Sequence, residues 1–260
     1  MASVIPHENI YLVKSRMIEY PYMNYHLFSK MNLSRMFGDK EYYEITFLKY
    51  DKEFSKKCGL EQYDGFIDFR EKNLVYYEIC GSKAILHLEG CVFDDEYKQA
   101  LERLAKLCDE RKLECLELDL SKNMGGNSAV IDEFIRYVDI NEFKRYEMID
   151  YSTGSPQVIS SRKESIHNRK QAVLFSKKII CRVSNTTFSS ARTFAVTLKD
   201  NGIATIVGEP TGGKPCSYGM PLRDVTPNCK IKFRVSRCLF LRPDERLNDE
   251  IALFPDKYRA

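Results

Sequence analysis

"SNTTFSSARTFAVTLKDNGIATIVGEPTGGKP" fills residues 184–215 and decides the fold class. Two serines, Ser189 and Ser190, stand at the mouth of a helical pattern with Ala191, Phe194, Ala195 and Leu198 on one face. Lys199-Asp200-Asn201-Gly202 ends that helix with a glycine just past its last periodic residue. "IATIVG" follows as a short strand, and a loop dense in Gly and Pro then carries a lone lysine, Lys214. Helix mouths and strand-end loops are common places for chemistry.

The same texture extends upstream. "AVLFSKKIICRVS" (172–184) reads as a strand, and "LECLELDL" (113–120) alternates Leu116, Leu118 and Leu120 with Glu117 and Asp119, as a strand does. "SKNMGGNS" is the exit loop of the second, followed by a helix with Ile131, Phe134, Ile135 and Val138 inward. From Asp94, Tyr97, Leu101, Leu104 and Cys108 fall on one helical face, with acids at the favourable N-terminal end. "EICGSKAILHLEG" is a pair of strands around a Gly-Ser turn, and "CKIKFRVSRCLFL" closes the chain with β-rich text. Strands alternating with helices predict an α/β core. "YEMIDYSTGSPQVISSRKESIHNRK" (146–170) has no clear period and reads as a surface excursion. Residues 1–65, crowded with Tyr, Met and Phe, read as a small α+β accessory lobe packed beside a core spanning 76–260.

Composition narrows the function classes. The chain has 260 residues and a net charge of +3, from 40 Lys+Arg against 37 Asp+Glu, with no basic stripe to suggest nucleic acid. No apolar run approaches the roughly 18 residues of a membrane span, and no signal-peptide core is present. The chain therefore reads as soluble, and as cytosolic or trimmed of a leader. Nine cysteines lie scattered without a CxxC pair, and read as small buried hydrophobes of a reducing compartment. Four dispersed histidines give no metal-ligand spacing, so neither metal nor cofactor is expected.

Two glycine-bearing loops leave strands. Gly125 and Gly126 in "DLSKNMGG" have no Cβ, so their N–H groups can approach a ligand as an oxyanion hole requires. Ser189 or Ser190 lies where a helix dipole favours developing negative charge, and Lys214 is the candidate base. Taken singly, these features have plain readings: an N-cap, a turn, a solvated lysine. A β-branched residue at Gly126 is expected to abolish turnover with modest loss of folding.

Joined, they resemble peptidase family S41, the tail-specific or C-terminal-processing serine peptidases. Asp119-Leu120 and Asn123 through Gly126 match that family's DLRxNxGG pattern. Ser189, Phe194-Ala195, Lys199-Asp200-Asn201, Gly208-Glu209, Thr211 and Gly213-Lys214 match its later serine-to-lysine block. The family's serine precedes its lysine by about 25 residues, and this register selects Ser189 over Ser190. The resemblance implies a ClpP/crotonase-like core and a polypeptide substrate, cut near its C-terminus. It further implies a Ser189–Lys214 dyad, with the backbone N–H groups of Gly126, Ser190 and Gly125 as candidates for the oxyanion. Residues 1–65 resemble a shortened PDZ-like module. A lysine acts as base only where burial disfavours its charged form. Where the family has a lysine-orienting glutamine this chain has Tyr218, with Ser217 adjacent, and Arg192 stands in place of a glutamate. A peptide-binding module with lost catalysis, and a crotonase-type acyl-CoA enzyme, are the alternatives on the same fold.

Overall fold

The computed structural model describes residues 9–13, 33–34, 37–49, 52–59, 73–176 and 178–258. The chain divides into two compact units, one formed by residues 1–5 and 14–72, the other by residues 6–13 and 73–260. In the first, β1 (Tyr42–Lys49) and β2 (Lys52–Gly59) pair as an antiparallel hairpin. The PDZ-like reading of residues 1–65 falls largely on residues outside those described.

The second unit is built on a six-stranded sheet. It uses β3 (Val75–Cys80), β4 (Lys83–Leu88), β5 (Cys115–Asp119), β10 (Lys178–Val183), β11 (Thr205–Gly208) and β14 (Lys257–Tyr258). Their spatial order is β14-β11-β10-β5-β4-β3, all parallel except for the β3–β4 hairpin. Helices make the parallel crossovers. α1 (Asp95–Glu110) joins β4 to β5, α2 (Ala129–Ile135) follows β5, and α3 (Ser190–Asp200) joins β10 to β11. Asp94 caps α1 by accepting from the Tyr97 N–H at 2.9 Å, as Ser, Thr, Asp and Asn do at helix starts.

One sheet face is apolar because strand residues alternate. Ala84, Leu86, Leu88, Leu116, Leu118 and Cys181 are buried with the inner faces of the helices, including Leu101, Phe134 and Phe194. Parallel strands with helical crossovers also place the C-terminal ends of β4, β5, β10 and β11 along one edge, where ligands bind in open α/β sheets. The loops after Leu88, Asp119, Val183 and Gly208 all leave from that edge.

The segment read as a surface excursion instead contains strands: β7 (Glu147–Asp150), β8 (Gln157–Ser160) and β9 (Ser165–His167). β9 pairs with β6 (Glu142–Lys144). β7 and β8 continue a second sheet with β12 (Ser217–Val225) and β13 (Lys232–Leu241), in the order β12-β13-β7-β8. Strands of three or four residues whose one buried side chain is a polar Asp150 leave no hydrophobic period to read, and this is why the sequence missed them.

On the other face of the main sheet, Glu117 is buried and accepts from Lys83 Nζ at 2.8 Å and from the Arg182 guanidinium. Burial alone would push this carboxyl up, but the hydrogen bonds from Lys83 and Arg182 outweigh it and hold it below its ordinary value. A depressed carboxylate stabilises the fold above its unfolded value of about 4.3 and loses that contribution as pH falls through its folded value. Urea midpoints at pH 7 and about pH 3 should therefore drop further for the wild type than for Glu117→Gln. Equal acid losses in the two proteins would remove this ion cluster from the account.

Candidate active site

Three loops on the strand-end edge are tied together by buried polar side chains. Asn123, fully buried, donates from Nδ2 to the Leu88 carbonyl at 2.8 Å and accepts the Gly125 N–H on Oδ1 at 2.8 Å. Its own carbonyl accepts the Phe188 N–H at 3.1 Å, which links the glycine loop to the serine loop. Thr187, also fully buried, donates from Oγ1 to the Leu120 carbonyl at 2.8 Å. Its carbonyl takes the Gly212 N–H at 3.3 Å, which brings in the lysine loop.

The glycines are required by space. A Cβ on Gly125 would sit 2.7 Å from Ser189 Cβ and 2.9 Å from the Ser190 nitrogen, so this loop lies directly against the two serines. Gly126, at φ +138, would put a Cβ 2.3 Å from the carbonyl oxygen of Cys91. It is held there because Cys91 donates its N–H to Gly125 O at 3.0 Å and accepts the Asn127 N–H at 2.7 Å. Gly126→Val should therefore cost stability as well as turnover, about 2–4 kcal/mol, because the backbone must move. This corrects the expectation of modest folding loss. A thermal melt of the variant checks it, and a melting temperature equal to the wild type's would contradict it.

The two serines differ. Ser190 Oγ donates to the Gly126 carbonyl at 2.7 Å. Ser189 precedes α3 with φ 51 and ψ −126, is exposed, and makes no side-chain cap bond to the helix. The plain N-cap reading thus fails for Ser189, and its backbone sits in a region that side chains rarely adopt. Such strain clusters at functional sites.

Of the three N–H groups expected at an oxyanion hole, that of Gly125 is committed to Asn123. Among the described residues, no backbone carbonyl accepts the N–H of Gly126 or of Ser190. Gly125 acts instead by having no side chain.

Lys214 is exposed, and its loop is fixed on both sides. Gly212 bonds to Thr187, the buried Tyr146 hydroxyl donates to Pro215 O at 3.1 Å, and Arg192 Nη2 donates to Ser217 Oγ at 2.8 Å. The candidate orienting residues thus part company. Ser217 is engaged by Arg192 of the serine helix, whereas Tyr218 is 63% exposed.

Sequence reading did not single out Thr187, Cys91 or the Arg192–Ser217 bond. Cys91 is buried, and burial pushes its thiol up to about 12 against a weaker opposing hydrogen bond with Asn123. It is packing, not a nucleophile. The other cysteines follow the buried reading in part: Cys108, Cys115, Cys181 and Cys238 are buried, but Cys80 and Cys229 are exposed. Among the described residues no cluster of His, Cys, Asp and Glu could hold a metal ion.

The sequence model of peptidase family S41 matches residues 83–245, a span that runs from β4 through both motif loops and past the end of β13. The chain belongs to peptidase family S41. Its architecture is similar to the photosystem II D1 C-terminal processing protease at 15% identity and a TM-score of 0.55, covering 85% of this chain and 56% of that one. It is similar to mature CPAF complexed with lactacystin at 14% identity and a TM-score of 0.56, covering 85% of this chain and 64% of that one. A lipoprotein from Streptococcus agalactiae matches at 16% identity and a TM-score of 0.50, over 74% of this chain and 67% of that one. This S41 chain thus spans less than two thirds of the two proteases, and these likenesses show the ClpP-like fold.

Proposed function

We propose that this S41 chain is a serine peptidase acting on polypeptides, with Ser189 as nucleophile and Lys214 as base. The observation that carries the reading is Ser189 itself. It sits at a helix mouth in a strained conformation, exposed, without a capping bond, and against the cleared surface of Gly125. In the proposed step Ser189 Oγ attacks the peptide carbonyl while neutral Lys214 Nζ takes its proton. The N–H groups of Gly126 and Ser190 receive the oxyanion. The C–N bond then breaks, the amine leaves with the proton held by Lys214, and water releases the acyl group from Ser189. Cleavage near a C-terminus is part of the proposal. It rests on the family and on the C-terminal processing protease of like fold.

The exposure of Tyr218, which stands where the family has a lysine-orienting glutamine, favours a second reading, a peptide-binding module without catalysis.

A fluorophosphonate probe separates the two. The peptidase reading expects labelling at Ser189 and not Ser190, rising with pH, because only an unprotonated amine accepts the proton. Lys214→Ala and Lys214→Arg should both abolish it, since guanidinium does not deprotonate. Peptide binding without labelling at any pH from about 6 to about 10 would leave the second reading standing.

A further inference from the structure

Beyond the cleft, the β12–β13 hairpin leaves the body of the protein: every residue from 220 to 236 except Thr226 is exposed. Its two faces differ in chemistry. Cys238 is fully buried and Phe240 packs on the core, so the face shared by Phe233, Val235 and Leu239 points outward. On that face Val235 lies opposite Leu222, Leu239 opposite Tyr218 and Phe233 opposite Asp224, with Arg237 between Val235 and Leu239. The Leu239 rung continues across Ile149 to Val158 on β8. Tyr218, Leu222, Phe233, Val235 and Val158 are each 42–63% exposed. On the opposite face Arg223 lies directly across from Arg234, with Lys232 beside Val225. The tip closes through Thr226 N to Ile231 O at 2.9 Å and presents Val225 and Ile231 at 42% and 59% exposure, flanked by Lys230 and Lys232. Over 217–241 the chain carries five basic side chains and one acid, more than the +3 of the whole protein.

Three occupants could cover such a face. A second copy would bring one strongly basic hairpin against another. An extended polypeptide adding to the free edge of β12 would meet Pro221, which has no N–H, and Met220 at φ 51, two features that blunt an edge. An anionic lipid surface has neither objection. Apolar side chains enter the acyl boundary, aromatic Tyr218 and Phe233 suit the headgroup level, and long Arg and Lys side chains reach phosphates.

We propose that the β12–β13 hairpin is a peripheral docking element for anionic bilayer surfaces, inserted by its tip and outward face. It is the strand counterpart of an interfacial amphipathic helix, with an apolar face and a polar face rich in Lys and Arg. Among the described residues no helix is long and apolar enough to cross a membrane. It does not depend on catalysis at Ser189.

The test is co-sedimentation of the full chain with vesicles of phosphatidylcholine alone, or containing about one third phosphatidylglycerol. Binding to the anionic vesicles should exceed binding to the neutral ones at least about tenfold, and should weaken between about 0.1 M and about 0.5 M salt. Arg223→Glu with Arg234→Glu, and separately Leu222→Ser with Val235→Thr, should each lower it by about tenfold or more, and all four positions are exposed. Ser189→Ala should bind as the wild type does. Absent sedimentation, equal sedimentation with neutral vesicles, or variants that bind undiminished would each overturn the proposal. So would a dimer in light scattering that Leu222→Ser with Val235→Thr dissociates, or capture of a carboxymethylated unfolded polypeptide at this hairpin without vesicle binding.

Discussion

Ser189→Ala is expected to lower peptide hydrolysis by about 10⁴-fold or more, the scale on which a nucleophile's removal is felt in serine peptidases. Ser190→Ala should cost about tenfold at most. The asymmetry comes from what each hydroxyl already does. Ser190 Oγ is tied to the Gly126 carbonyl, so its loss loosens the glycine loop but removes no reacting atom. Ser189 Oγ caps nothing. That gives a second readout, because an N-cap serine replaced by alanine costs about 0.5–2 kcal/mol. Ser189→Ala should therefore melt at the wild-type temperature while losing its activity. Equal damage from the two alanines, or a melting loss of cap size at Ser189, would return this residue to a structural role.

How much of this was legible depended on how local the cause was. β5, β10, α3 and β11 were readable because alternation, a 3.6-residue stripe and Gly202 punctuate them within a few residues. The motif loops were readable as spacing, Asn123 to Gly126 and Ser189 to Lys214. The knots that bring them together were not. Asn123 binds the Leu88 carbonyl 35 residues away, and Thr187 binds Leu120 across 67. A polar residue in a loop looks alike whether it is solvated or buried. Arg192 looked like a misplaced charge in the serine helix, yet it is buried and holds Ser217 across 25 residues. β12 escaped notice because its side chains face solvent on both sides, so burial imposed no pattern on it.

Arg242→Met is expected to destabilise the second unit by about 3–5 kcal/mol, because it strands the buried Asp200 carboxylate and does not merely remove a contact. Arg242 is fully buried and donates to Asp200 at 2.7 and 3.0 Å and to Glu250. The Asp200 side chain is itself 0% exposed. It ends α3, where the helix dipole disfavours an acid, so the guanidinium offsets both desolvation and the dipole there. For a unit of this size each kcal/mol moves the melting temperature by about 2–4 °C, so a fall of roughly 10 °C is expected. The double variant Arg242→Met with Asp200→Asn should recover part of it, since neutralising the partner removes the stranded charge. A fall under about 2 °C, or no recovery in the double variant, would mean that water reaches Asp200 and that α3 is not anchored this way. The anchor matters to the site because Ser189 stands at the other end of the same helix, about 16 Å away at 1.5 Å per residue. If α3 is held from its far end, Arg242→Met should also slow labelling of Ser189 in protein that is still folded. The Asp200→Asn partner should restore that rate in step with the melting temperature.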